Sequence, residues 1–400
     1  MSGLSLGFIG LGLIGGSIAK AIKEAHPDYT LIAYDHLSQN DFSSKTDTDI
    51  SHTSKGDCNK SESNLEKTNI NFHNKDISMA IESKVIDYVV NDLTFLSHCK
   101  VIFLCAPVLN NIEYLSKLKD IITPNTILTD VGSVKGHIHQ KVEELNLDKL
   151  FIGGHPMTGS EKTGYAHSSS TLLENAYYIL TPTKASKEED LSFLSTLIKE
   201  IKALPVLLNY SEHDKITAAI SHLPHIIASS LVNLVESSDD NSEHMRHLAA
   251  GGFKDITRIA SSSPTIWQNI CLTNRDSIIY YLEQYINSLN RIKLELEDDN
   301  GEYLYNFFDN AKEYRDALPK EVKGLGISIY EIFVDLQDVT GAIANVASLL
   351  ANNSISIKNI GIIHNREFEE GVLRIEFYNN MERKKAAYLL EEHNYKIYKR

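Results

Sequence analysis

Residues 4–25, LSLGFIGLGLIGGSIAKAIKEA, constrain the fold more than any other stretch. An apolar strand-like run ends at Gly10, and a helical run follows at once. Gly10, Gly12 and Gly15 form G-x-G-x-x-G at the junction, with Leu13 and Ile14 between the last two. The first glycine permits a tight turn. The second lets the backbone approach a pyrophosphate, and the third lets helix pack on strand. The helix N-terminus then favours an anion. A second apolar run, YTLIAYD, ends in Asp35, 20 residues beyond Gly15. A carboxylate there accepts from a ribose 2′-OH and repels a 2′-phosphate, so NAD is the expected cofactor rather than NADP.

Further strand-to-loop units follow in CKVIFLCAPV, NTILTDVGS, KLFIGGHPM and AYYILTP. Strands alternating with helices predict an α/β fold, a Rossmann-type dinucleotide-binding domain over 1–210. Residues 38–76 interrupt it with seven serines and only five large apolar side chains, too few to offset ordering entropy; they read as a disordered insertion. From Ser211 the period becomes helical, giving an all-helical dimerisation and substrate domain over 211–317. Its most apolar stretch, ITAAISHLPHIIASSLVNLV, holds two histidines and a proline and reads as a buried helix rather than a membrane span. Residues 318–325 read as a linker. Residues 326–400 then give βαββαβ, a small independent domain.

Net charge decides among partners. At −14 the chain is a poor match for nucleic acid or an anionic membrane, and an anionic substrate needs a local cation. Four scattered cysteines form no CxxC pair, no metal spacing is visible, and a reducing cytoplasm is the expected location.

Four stretches carry candidate chemistry. GGHPMTGSEKTG holds His155 between glycines and a proline, which predicts a loop. TDVGSVK holds Ser133 in a turn at a strand end, where it serves either a ligand or the cap of the next helix. SHLPHIIASS sets His222 and His225 at i, i+3, either as ligands' donors or as satisfied core groups near a Pro224 kink. GGFKDITRIA adds Arg258, a permanent cation or a partner for Asp255.

Together these motifs, in this order, resemble the prephenate dehydrogenase family over residues 3–300, the insertion apart. The resemblance implies NAD-dependent oxidative decarboxylation of prephenate to 4-hydroxyphenylpyruvate, CO2 and NADH in tyrosine biosynthesis. It implies His155 as the base at the 4-hydroxyl, Ser133 as a hydroxyl partner, and Arg258, His225 and His222 as substrate contacts. Arogenate, the aminated analogue, is the alternative substrate; a non-catalytic NAD sensor is the remoter one. The last seventy-five residues resemble an ACT domain. That implies pairing in a homodimer and an amino-acid effector, L-tyrosine, near Gly341 and Asn359.

Overall fold

The glycine junction opens a doubly wound sheet. The computed structural model describes residues 3–35, 75–159, 162–240, 242–318, 330–336, 339–363 and 372–398. The chain divides into two units, Met1–Leu318 and Pro319–Arg400. The insertion read at 38–76 lies outside the described residues, except that its last two positions begin a helix. The linker read at 318–325 lies outside them beyond Leu318.

In the first unit, β1 (Ser5–Ile9) leads through α1 (Leu13–Ala25) to β2 (Thr30–Tyr34). Then come α2 (Lys75–Glu82), β3 (Tyr88–Val90), β4 (Val101–Leu104), α3 (Val108–Leu118), β5 (Ile127–Asp130) and α4 (Gly136–Glu144). The five strands are parallel in the order β3-β2-β1-β4-β5. Strand side chains alternate faces, so each face seeds its own core. Phe8 packs with Ile18, Ile22 and Phe103 on one side; Ile9 packs with Ile102, Leu115 and Ile138 on the other.

The sheet then changes character. β6 (Ile152–Pro156) touches β5 through one parallel bridge, Leu128 to Phe151, and turns to pair antiparallel with β7 (Tyr177–Pro182). After α5 (Glu188–Glu200), β8 (Leu204–Leu207) adds parallel to β7. The strands of the α/β part therefore form a parallel five and a mixed three.

The helical part begins with α6 (Tyr210–Thr217), a π-helical turn at Ala218–His222 and α7 (Leu223–Ser238). These three run on as one helix, Tyr210–Ser238. Only 22% of its most apolar window is buried, which corrects the reading of a buried helix. By length and composition it could also cross a membrane, yet its inner face carries the buried His213, Asp214, His222 and His225. Where a Pro224 kink is expected, the helix makes a π turn just before the proline, with the Leu223 N–H bonded to the Ala218 oxygen five residues back. Next come α8 (His244–Leu248), α9 (Gly251–Thr257), a 3-10 turn at Arg258–Ser261, α10 (Pro264–Thr273), α11 (Arg275–Glu297) and α12 (Gly301–Ala317).

The second unit runs β9 (Tyr330–Asp335), α13 (Ala342–Asn352), β10 (Ile357–Ile363), β11 (Val372–Phe377), α14 (Asn380–Glu392) and β12 (Ile397–Tyr398). This is the βαββαβ order expected of an ACT-like domain. Its antiparallel sheet, β10-β11-β9-β12, lays Ile332, Val334 and Ile375 against Val346, Leu350 and Leu390.

Candidate active site

The glycine loop has three distinct glycines. Gly10 sits at φ +97°, where L side chains are strained, and a Cβ there would lie 2.9 Å from the Cys105 carbonyl carbon. A Cβ at Gly15 would meet the Gly10 oxygen at 2.3 Å and the Cys105 Cβ at 2.9 Å, so this glycine lets α1 approach β4. A Cβ at Gly12 would meet nothing within 4 Å. Gly12 is the N-cap of α1, which opens with Leu13 and Ile14, and no side chain caps it. Open space in front of an uncapped helix N-terminus fits a pyrophosphate. Asp35 follows β2, half-buried, its N–H bonded to the Val90 oxygen at 3.0 Å.

His155 lies in β6, in register with Ile179 of β7, and not in the predicted loop. The glycines before it serve close packing, not a turn. A Cβ at Gly154 would lie 2.6 Å from the Asp130 oxygen, and one at Gly153 would lie 2.3 Å from Thr181 Oγ1.

Two residues that the sequence reading passed over complete the arrangement. His155 Nδ1 is 2.8 Å from His213 Nε2, and His213 Nδ1 is 2.8 Å from Asp214 Oδ1. The carboxylate only accepts, so it fixes the proton of neutral His213 on Nδ1. His213 Nε2 then accepts from His155 Nδ1. That leaves the lone pair of His155 on Nε2, the nitrogen outside this chain of bonds. Burial, then the neighbouring His213, Lys135 and His222, pushes the His155 pKa well below the usual imidazole range. His155 is therefore a neutral, oriented base at pH 7. Asp214 itself is anchored by the N–H groups of Lys135 at 2.8 Å and Gly136 at 2.7 Å.

Asp214 thereby caps α4 from another element. Ser133 does not cap it, which corrects that half of its reading. Ser133 is half-buried between β5 and α4, two residues before Lys135, and its hydroxyl makes no hydrogen bond among the described residues.

The predicted histidine pair gathers on the same helix. Asn274 Nδ2 donates to the Asp214 carbonyl at 2.8 Å and to His222 Nδ1 at 3.1 Å. The proton of neutral His222 is thus on Nε2, a buried donor with no partner among the described residues. Burial brings the His222 pKa down to about 4, so the ring is uncharged at neutral pH. His225 stacks on Trp267 at 3.4 Å between centroids, and His222 meets the same indole edge-on at 6.0 Å. Arg258 opens the 3-10 turn packed on α7 and is exposed. The bonding therefore joins His155 to His213, Asp214, Asn274 and His222. It does not by itself join Ser133 or Arg258 to them.

This geometry meets two family descriptions. Residues 64–207 match the model described as "Prephenate dehydrogenase, nucleotide-binding domain", and residues 209–310 match "Prephenate dehydrogenase, dimerization domain". The chain belongs to the prephenate dehydrogenase family. It is 35% identical over 387 residues to the prephenate dehydrogenase of Bacillus subtilis, covering 96% of this chain and 94% of that one. It is 31% identical over 390 residues to that of Lactococcus lactis, covering 96% of each. Among solved structures, it is similar to the Aquifex aeolicus prephenate dehydrogenase in complex with hydroxyphenyl propionate and NAD+. That match has a TM-score of 0.66 and 27% identity, over 80% of this chain and 99% of that one. As a member of the prephenate dehydrogenase family, the chain is an NAD-dependent oxidoreductase.

Proposed function

We infer that this site performs the oxidative decarboxylation of prephenate, with His155 as the base. The observation that carries the reading is the His155–His213–Asp214 chain of bonds, which presents a neutral Nε2 lone pair. NAD, when bound at the glycine loop, supplies the hydride acceptor for C4 of the cyclohexadienol. His155 Nε2 accepts the 4-hydroxyl proton as the C–O bond gains double-bond character. The ring carboxylate leaves as CO2 and its electron pair aromatises the ring. Oxygen 4 ends as a phenol, so the base returns a proton and no net proton is consumed. While protonated, His155 donates through Nδ1 to His213, whose own Nδ1–H points at Asp214; the carboxylate steadies the transient cation.

The remaining groups meet a dianion. Arg258 supplies the permanent cation that a chain of net charge −14 must place locally. The orphaned Nε2–H of His222 is a donor that a substrate oxygen would satisfy. Ser133 and His225 are the further polar contacts, and Asp35 selects NAD over NADP. Exposed apolar residues on the helical part, among them Leu234, Leu248, Leu272, Leu294 and Phe308, support a homodimer formed through it. In the second unit Gly341 has φ +87° and a Cβ there would meet nothing within 4 Å, which supports an amino-acid effector near α13. Asn359, exposed on β10, is a second contact. The described cysteines, Cys99, Cys105 and Cys271, are free thiols, which supports a reducing cytoplasm.

The test is NADH formation with two variants. His155→Asn should lower kcat by roughly 10²–10⁴-fold with KM little changed, because the base acts in the transition state. Arg258→Gln should chiefly raise KM for prephenate. Full kcat in the first variant removes His155 from the mechanism. Faster turnover of arogenate than of prephenate reassigns the substrate.

A further inference from the structure

We propose that Lys135 is the positioning residue of this site, holding the two ends of the histidine relay at a fixed separation. The inference rests on the reading of His155 as base. It begins where the sheet is weakest: β5 and β6 share one bridge, at Leu128 and Phe151. Beyond that bridge, side chains replace the ladder. The Gly154 N–H donates to Asp130 Oδ1 at 3.2 Å, and Lys135 Nζ donates to the Gly154 oxygen at 2.7 Å. Lys135 and Asp130 pair with each other, and both are fully buried. The residue so gripped, by its N–H and its carbonyl, is the one that precedes His155.

The other end is held by the same residue. The backbone N–H of Lys135 donates at 2.8 Å to Asp214 Oδ1, the oxygen that also meets His213 Nδ1. One residue therefore fixes both the strand carrying the base and the carboxylate that orients it. Gly153 makes room: a Cβ there would lie 3.2 Å from the Lys135 Cδ. Burying an ion pair gains little stability by itself. Here the donors are directed at the relay.

Two variants test this, since a lone buried charge is a folding risk. Lys135→Met keeps the stem and the backbone N–H to Asp214 but loses the Nζ donors to Gly154 and Asp130; Asp130→Asn with Lys135→Met also removes the stranded charge. Each is assayed for kcat, KM, NAD binding, melting and the pH profile of kcat/KM, beside His155→Asn. The groups facing His155 are His213, Lys135 and His222, with Asp214 and Asp130 behind them. The expected result in a folded, NAD-binding variant is a kcat loss of roughly 10- to 100-fold, as a displaced catalytic group gives. The acid limb should also move to higher pH once the lysine charge is gone. Lower melting with unchanged kcat and acid limb overturns the proposal, and so does failure of both variants to fold, which makes the pair purely structural. If His155→Asn is fully active, the base reading fails instead, and the two failures are distinct.

Discussion

At the residue scale, the buried histidines set how stability depends on pH. His139 on α4 bonds Thr181 Oγ1 at 2.9 Å and stacks on Tyr210 at 4.6 Å. Burial, with Lys135 nearby, lowers its pKa to about 3; His222 falls to about 4. Both folded values lie below the unfolded imidazole value, about 6.5. The unfolded chain therefore binds more protons as pH falls below that value. Their stabilisation is full above pH 6.5 and drains away as pH falls toward the folded values, by on the order of a few kcal/mol for each ring. Melting temperature should fall between pH 6.5 and 5, before most carboxylates titrate. His139→Gln should flatten that fall. Equal slopes in variant and parent would show that His139 does not carry it.

At the element scale, what was legible depended on how local the cause was. G-x-G-x-x-G, the βαββαβ order and the helical stretch after Ser211 follow from neighbours in sequence, and all could be read. His155 in a strand could not. Its glycines look like turn residues, and only Asp130 and Thr181, brought up by other strands, make them packing glycines. His213 was missed for a related reason. It lies nine residues before His222, which in an α-helix is about 180° around the axis, the opposite face. The π turn at Ala218–His222 accommodates one extra residue, reducing the offset to about 80°. Both rings can then reach the Asn274–Asp214 cluster. Deleting Ile220, which is 62% exposed within that turn, should restore α-helical phase and turn His222 from Asn274. The helix should survive by circular dichroism while turnover falls, on the order of 100-fold for a misplaced site. Full activity in the deletion variant would show that the π turn does not set the site.

At the scale of the whole molecule, the question is what the second unit adds. The unit ending at Leu318 has its own cores and itself contains the His155–His213–Asp214 chain of bonds. The second unit has a separate core and an edge strand, β10, with Ile360 and Ile362 exposed. An exposed apolar edge is a surface for pairing with a second copy. A homodimer would supply that copy, and α13 starts at a glycine whose surroundings are open. An effector there regulates only if it binds an active and an inactive arrangement unequally. A coupling of roughly 1–3 kcal/mol would change substrate affinity 5- to 150-fold. Truncation after Pro319 should therefore keep turnover and abolish inhibition by L-tyrosine, with NADH formation as the readout. Equal inhibition of the truncated and full chains would place tyrosine at the active site, as a product analogue. If neither responds to tyrosine, phenylalanine or tryptophan, the second unit is an assembly module, and the edge of β10 rather than the N-terminus of α13 is its working surface.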